Sequence, residues 1–212
     1  MRLTKLGHSC IRLEADGRTL VIDPGTFSED TAADGADAVL ITHEHPDHAD
    51  PEKLRGLLGA RDDVTVWTNP ALAETLSRDF PGRVRAVSAG ERFEAAGFDV
   101  HVHGSEHALI RDGVPIVSNV GFLIDGLFHP GDAFTVPDEP VETLLLPVNA
   151  PWAKLNETLT QLSEIKPRRV HPIHDALLTD YGWAVYGGHT QQVSGDVGTD
   201  YERLKPGDTI DL

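Results

Sequence analysis

The stretch Asp37-Ala38-Val39-Leu40-Ile41-Thr42-His43-Glu44-His45-Pro46-Asp47-His48 decides how this chain is read. Residues 37–42 form a continuous apolar run, the pattern of a strand buried on both faces. The run ends at a polar loop holding three histidines and an aspartate. Imidazole nitrogen and carboxylate oxygen are the ligands that a borderline cation such as zinc accepts, at about 2.0–2.2 Å. His43 and His45 lie two apart, so an extended backbone directs both the same way. Pro46 stops that backbone from continuing as sheet, which lets Asp47 and His48 turn toward a second position. One such histidine alone is ordinarily a solvated polar residue. The cluster, placed directly after a buried strand, points to a metal site.

One loop cannot complete two metal sites, so further ligands are expected at other strand ends. His107 follows the strand-like FDVHVHG. His129-Pro130-Gly131-Asp132 follows FLIDGLF, and Gly131 permits a sharp turn before Asp132. His171-Pro172-Ile173-His174-Asp175 follows an apolar segment near the C-terminus. Each segment runs strand, then His or Asp, then turn.

THEHPDH at residues 42–48 resembles the T-H-x-H-x-D-H signature of the metallo-β-lactamase superfamily. The later segments match its remaining motifs in order: a lone His, then Gly-Asp, then a His after a last strand. The opening LGHSCIRLEADGRTLVIDPG and the segment LLLPVNAP resemble the branch related to ascorbate-6-phosphate lactonase. The resemblance implies an α/β (α+β) fold, a four-layer αββα sandwich with a two-metal site at one sheet edge. It implies that His43, His45 and His107 hold a first metal, that Asp47, His48 and His174 hold a second, and that Asp132 bridges them. The expected cofactor is two divalent metal ions, zinc first, with manganese or iron also compatible with an all-His/Asp set.

Other histidines compete for these roles. His101 and His103 share one strand face, but a paired strand suits His103 less than the loop suits His107. His171 lies within a strand end, and His174 after Pro172 is better placed. His129 is expected to be structural and His189 to lie on the surface or in packing. Asp23, in the VIDPG turn, matches a superfamily aspartate behind the histidine loop and is expected to hydrogen-bond a ligand. His8 and Asn149 are candidates for substrate contact.

The expected activity is that of a metal-dependent hydrolase attacking an ester, lactone or phosphodiester with a metal-activated hydroxide. Asp47 is the expected catalytic residue, orienting the nucleophile and accepting a proton. A non-catalytic metal-binding scaffold is one alternative. An iron-dependent oxidoreductase is another, although its diiron relatives carry an acidic residue where this chain has His45. Other chemistries fail on the residues. Gly7-His8-Ser9-Cys10-Ile11 is not G-x-S-x-G, and no phosphate-cradling or dinucleotide-binding glycine motif is present. Cys10, the only cysteine, excludes an internal disulfide and reads as a small buried hydrophobe.

The remaining sequence frames this site. With 212 residues, 40% of them hydrophobic, the chain is long enough for one core and reads as a single domain over 1–212. A net charge of −16 disfavours nucleic acid and acidic membrane surfaces as partners. A small-molecule substrate is expected, and a homo-oligomer stays open. No run approaches the roughly 20 apolar residues of a membrane span, and no signal-like centre is visible, so a cytoplasmic location is expected. Strands are expected at 2–6, 10–14, 18–22, 37–42, 64–68, 83–87, 91–95, 98–103, 115–124, 126–129, 142–147, 168–171 and 209–212. Helices are expected at 51–58, 71–78, 156–165 and within 179–194, the last weakened by Gly182, Gly187 and Gly188.

Overall fold

Which face each apolar residue buries sets the architecture. A computed structural model describes all residues, 1–212. The first half runs β1 (Arg2–Gly7), β2 (Cys10–Ala15), β3 (Arg18–Ile22), β4 (Ala38–Ile41), α1 (Pro51–Ala60), β5 (Thr65–Thr68), α2 (Pro70–Asp79) and β6 (Val84–Ala86). The second runs β7 (Arg92–Ala95), β8 (Phe98–His103), β9 (Gly121–Ile124), β10 (Leu127–His129), β11 (Thr143–Pro147), α3 (Leu155–Ile165), β12 (Arg169–Ile173), α4 (Asp180–Val197) and β13 (Asp200–Tyr201). β14 (Thr209–Asp211) returns to pair with β1.

Two seven-stranded sheets result, in the orders β14-β1-β2-β3-β4-β5-β6 and β13-β12-β11-β10-β9-β8-β7. β3 to β6 are parallel, as are β10 to β13. Leu20, Ile22 and Leu40 of the first sheet meet Val100, Phe122, Ile124 and Leu145 of the second in a central core. Their neighbours Val21, Val39 and Ile41 point outward, against Leu54 and Leu58 of α1 and Leu72 of α2. On the other side, Leu144 and Leu146 pack against Leu162 of α3 and Trp183 of α4. Both faces of β4 and β11 are therefore apolar, which is why their sequences run without alternation. The layers stack helix, sheet, sheet, helix: the four-layer αββα sandwich.

The helix ends follow local chemistry. Asp50 caps α1, accepting the Glu52 N–H at 2.9 Å, with Pro51 at the first helical position. Asn69 Oδ1 accepts the Leu72 N–H at 3.1 Å ahead of α2. α3 opens one residue earlier than the sequence suggests, because the Glu157 carboxylate accepts the Lys154 N–H at 3.1 Å. α4 runs unbroken through its glycines. At Gly187 an added Cβ would lie 3.1 Å from the Tyr201 hydroxyl, so a side chain there would press against Tyr201.

One expectation needs correction, and one strand was not anticipated. The strand expected at 115–124 begins only at Gly121. Residues before it bond to the 106–107 loop instead: the His107 N–H donates to Val117 O at 3.0 Å, and Glu106 bridges Ser118. Pro115 has no N–H to give a sheet ladder, and it precedes this detour. The two-residue β13 has no periodicity to announce it.

The Asp23-Pro24-Gly25 turn after β3 clamps the histidine loop. Thr26 N–H donates to Pro46 O at 2.8 Å and Asp50 N–H to Pro24 O at 3.2 Å. A Cβ on Gly25 would fall 1.8 Å from Asp47 O, so no side chain fits without moving the loop. Gly25→Ala is expected to destabilise the protein by about 1–3 kcal/mol, the usual cost of overpacking. Gly188→Ala, which meets nothing within 4 Å on an exposed helix face, should instead stabilise by about 0.5–1 kcal/mol. Denaturant unfolding of both variants checks the contrast; equal effects would contradict it.

Candidate metal centre

β1, β3, β4, β8, β10 and β12 all end at the same edge of the two sheets. The loops that follow bring the candidate residues together in two groups. His43, His45, His107 and Asp132 form one, and Asp47, His48, His174 and His8 form the other; within each group the ligand-type atoms lie within 4.8 Å of one another. Asp132 stands between them. Its Oδ2 lies 3.7 Å from His43 Nε2, 3.4 Å from His107 Nε2 and 3.1 Å from His174 Nε2, and its Oδ1 lies 3.0 Å from His48 Nε2.

Four imidazoles are held from behind in one orientation. The Thr42 hydroxyl donates to Asp23 Oδ2 at 2.8 Å, so it receives the Nδ1–H of His43 at 3.0 Å. His48 Nδ1–H donates to Asp23 Oδ2 at 2.7 Å. His174 Nδ1–H donates to Asn149 O at 2.7 Å, and His107 Nδ1–H to Ala108 O at 2.5 Å. Each ring thereby presents Nε2 to the cleft, the arrangement that outer hydrogen bonds impose on metal-ligating histidines. Asn149 thus serves through its backbone carbonyl.

His8 differs. Its Nδ1 accepts the Ala176 N–H at 3.3 Å, so its proton resides on Nε2, which donates to Asp47 Oδ2 at 3.3 Å. His8 therefore orients Asp47. His8, Asp23 and His174 all adopt left-handed backbone conformations, with φ of 50°, 51° and 57°. Such conformations cost about 1–2 kcal/mol each and are held here by the surrounding bonds.

Charge follows burial and proximity. Burial, then the neighbouring His48, pushes the His43 pKa well below the ordinary histidine value, leaving a neutral nitrogen donor. Burial likewise lowers His45, with His107 adding to the effect. Burial opposes charge on Asp132, but His48 and His174 outweigh it and hold its carboxyl well below the usual range. Burial also opposes charge on His48, and Asp132 and Asp23 on either side outweigh it, raising its pKa. Asp47 resists burial through the His8 hydrogen bond and the His48 charge, and is lowered to about 2.

The donor set fits a divalent cation. His48 Nε2, His107 Nε2 and Asp132 Oδ1 are buried without a hydrogen-bond partner. An unsatisfied buried polar group costs about 1–3 kcal/mol, and these atoms gather around one carboxylate. All the donors are imidazole nitrogen or carboxylate oxygen, which suits zinc, manganese or iron.

The remaining histidines lie elsewhere. His129 Nε2 donates to Ser9 O at 2.8 Å while its Nδ1 accepts the Gly131 N–H at 3.1 Å, bracing the turn before Asp132. His171 Nδ1 bonds Glu202 O at 3.0 Å, His103 remains on β8, and His189 is exposed on α4. Cys10 is buried, and burial pushes its thiol pKa up, away from nucleophilic use.

Two residues that sequence reasoning missed support Asp132. Asn119 Oδ1 accepts its N–H at 3.0 Å, and Trp152 Nε1–H donates to its Oδ2 at 3.0 Å. The placement of Trp152 just after the LLLPVNAP segment was the available signal. Trp152 also walls a cleft of about 750 Å³ beside His107, together with Leu109, Ile110 and Phe134. Arg111 and Lys154 stand at its margin.

The comparisons with known proteins agree with this geometry. Residues 2–174 match the family described as the beta-lactamase superfamily domain. Protein Rv0786c of Mycobacterium tuberculosis is 35% identical over 201 residues, covering 92% of this chain and 93% of that protein. A UPF0173 metal-dependent hydrolase of Agrobacterium fabrum is 35% identical over 151 residues, covering 62% and 63%. The fold also resembles Igni18, a metallo hydrolase of the archaeon Ignicoccus hospitalis, with a TM-score of 0.74, 22% identity and coverage of 99% and 97%. A two-sheet sandwich whose histidine loop, Gly-Asp turn and last histidine meet at one edge, and a family match spanning all of them, make this chain a member of the beta-lactamase superfamily, among relatives named as metal-dependent hydrolases.

Proposed function

We propose that the chain is a binuclear metal-dependent hydrolase acting on a small ester, lactone or phosphodiester. His43, His45 and His107 would hold one divalent ion, Asp47, His48 and His174 the other, with Asp132 shared. The observation that supports this reading is the meeting of two histidine groups at one buried carboxylate, with His48 Nε2, His107 Nε2 and Asp132 Oδ1 all buried and none in a hydrogen bond of acceptable geometry. The pair of ions supplies Lewis acidity and brings the pKa of a water from 15.7 to about 7.

This chain's own groups do the rest. Asp132 keeps its charge between the two histidine groups and is steadied by Trp152 and Asn119. Asp47, ionised and oriented by His8, aligns the attacking water and draws on its proton. A carboxylate with a pKa near 2 is a weak base, so orientation is its larger share. Trp152, Phe134, Leu109 and Ile110 exclude water from one side of the cleft and receive an apolar part of the substrate. The likeness of the opening residues and LLLPVNAP to the lactonase-related branch places lactones first in a screen. Zinc is the first metal to try, then manganese and iron.

Elemental measurement on gently purified protein should give at least two equivalents of transition metal per chain. The metal-loaded protein should open lactones or cleave esters or phosphodiesters. Absence of metal after reconstitution, or of turnover across such a panel, would count against the reading.

Asp132→Ala should lose at least one ion and nearly all turnover while remaining folded, since the sandwich core lies elsewhere. Full activity in a metal-loaded Asp132→Ala chain would refute the shared-carboxylate role.

His43→Ala and Asp47→Asn should fail differently. His43→Ala weakens metal binding first, and excess metal restores part of the activity. Asp47→Asn keeps its size but loses charge, and should lower kcat by about 10²-fold or more even at saturating metal. Measuring kcat across a metal titration separates them; complete recovery of Asp47→Asn would make Asp47 a simple ligand.

A further inference from the structure

A third group of ligand-type side chains lies away from the cleft. On β8, Val100 and Val102 face the core, so His101 and His103 project from the outer face of the second sheet. α3 and α4 lie against β11 and β13 on that face. Over β7 and β8 the cover is the strap that follows Asp132 and reaches Glu139. Arg92 Nη2 holds Glu139 Oε2 at 2.6 Å. The other oxygen, Oε1, touches His101 Nδ1 and lies 3.3 Å from His103 Nε2.

These three atoms are buried, lie within 4.8 Å of one another, and make no hydrogen bond of acceptable geometry. His103 is only 8% exposed, and its ring centroid lies 4.3 Å from that of His101. Two imidazoles and one carboxylate gathered this closely are a donor set that a single cation can share. Asp138 Oδ1 lies 3.8 Å from the opposite ring nitrogen of His103, outside this convergence.

We propose that His101, His103 and Glu139 form a separate structural site for one borderline divalent cation, zinc, cobalt, nickel or copper(II), that pins the strap to β8. Two imidazoles and one carboxylate suit that class. Calcium and magnesium require more oxygen ligands than the site offers. The strap carries one wall of the cleft. Gln161 Nε2 donates to Thr135 O at 2.9 Å, and a Cβ on Gly104 would lie 2.5 Å from Thr135 Oγ1. Phe134, between Asp132 and this anchor, sits 5.2 Å from the Trp152 ring. The ion would brace that wall from between the strap and the outer face of β8, without touching reacting groups.

The site is independent of the cleft's chemistry, and its test does not use activity. Zinc content and affinity are measured by equilibrium dialysis for the wild-type chain, His101→Gln/His103→Gln and Glu139→Ala, with circular dichroism to verify folding. The double variant should hold one ion fewer per chain than wild type, whatever the cleft contains. Glu139→Ala, at a half-buried position, should release that ion at least tenfold more readily. Asp132→Ala, altered in the cleft, should keep it. Copper(II) titrated into Asp132→Ala should give a paramagnetic resonance signal with nitrogen coordination, and adding the two histidine substitutions should lower its integrated intensity at saturation by one copper per chain. Equal zinc content and affinity in wild type and folded Glu139→Ala would overturn the proposal, and that variant decides the matter where the double variant fails to fold.

Discussion

The buried carboxylate of Asp23 holds the functional edge in place. It is fully enclosed, and it accepts the Thr42 N–H, the Thr42 hydroxyl and His48 Nδ1–H at 2.7–2.8 Å. A buried carboxylate is tolerable only when its oxygens are satisfied in this way. These bonds join the end of β3 to the end of β4 and orient His48. Through the Thr42 hydroxyl they also set the proton position on His43. Gly25, two residues on, lets the backbone of the histidine loop lie directly against the turn. One residue of each group, His43 and His48, is thus oriented by one small polar knot between adjacent parallel strands.

Around that knot the local charges oppose the global one. The chain carries −16 overall, yet its cleft concentrates histidines around two aspartates. Burial keeps His43 and His45 neutral, while paired carboxylates hold charge on His48. Neutral nitrogens and ionised carboxylates are the protonation states that cation binding needs. The acidic surface adds a long-range field that favours cations over anions near the protein.

The two sheets divide the labour. The first supplies the compact loop of candidate ligands, His43 to His48, from a strand buried on both faces. The second supplies single candidate ligands from scattered strand ends, and the long connections between them build the cleft wall. That wall is held by few contacts: the Gln161 hydrogen bond to Thr135 O, Trp152 against Phe134, and the Arg92–Glu139 pair. Segments with so little backbone pairing are where substrate selectivity in such folds can change without disturbing the core.

What the sequence by itself determined was local. The apolar run before Thr42, the spacing of His43, His45, Asp47 and His48, and the strand-then-turn placement of His107, Asp132 and His174 are properties of short segments. Backbone period and turn chemistry are enough to read them. The strand limits near 115–120 were not legible, because those residues bond to the His107 loop and not to the sheet. Other features arose only in three dimensions. His8 turns its Nε2–H toward Asp47 because Ala176, from the far end of the chain, caps its other nitrogen. Trp152 and Asn119 reach Asp132 from separate loops, and Glu139 meets His101 and His103 across a strap. Such convergence depends on strand order and register summed over both sheets. No local pattern encodes it, since each side chain alone is compatible with many partners and the packed core selects one.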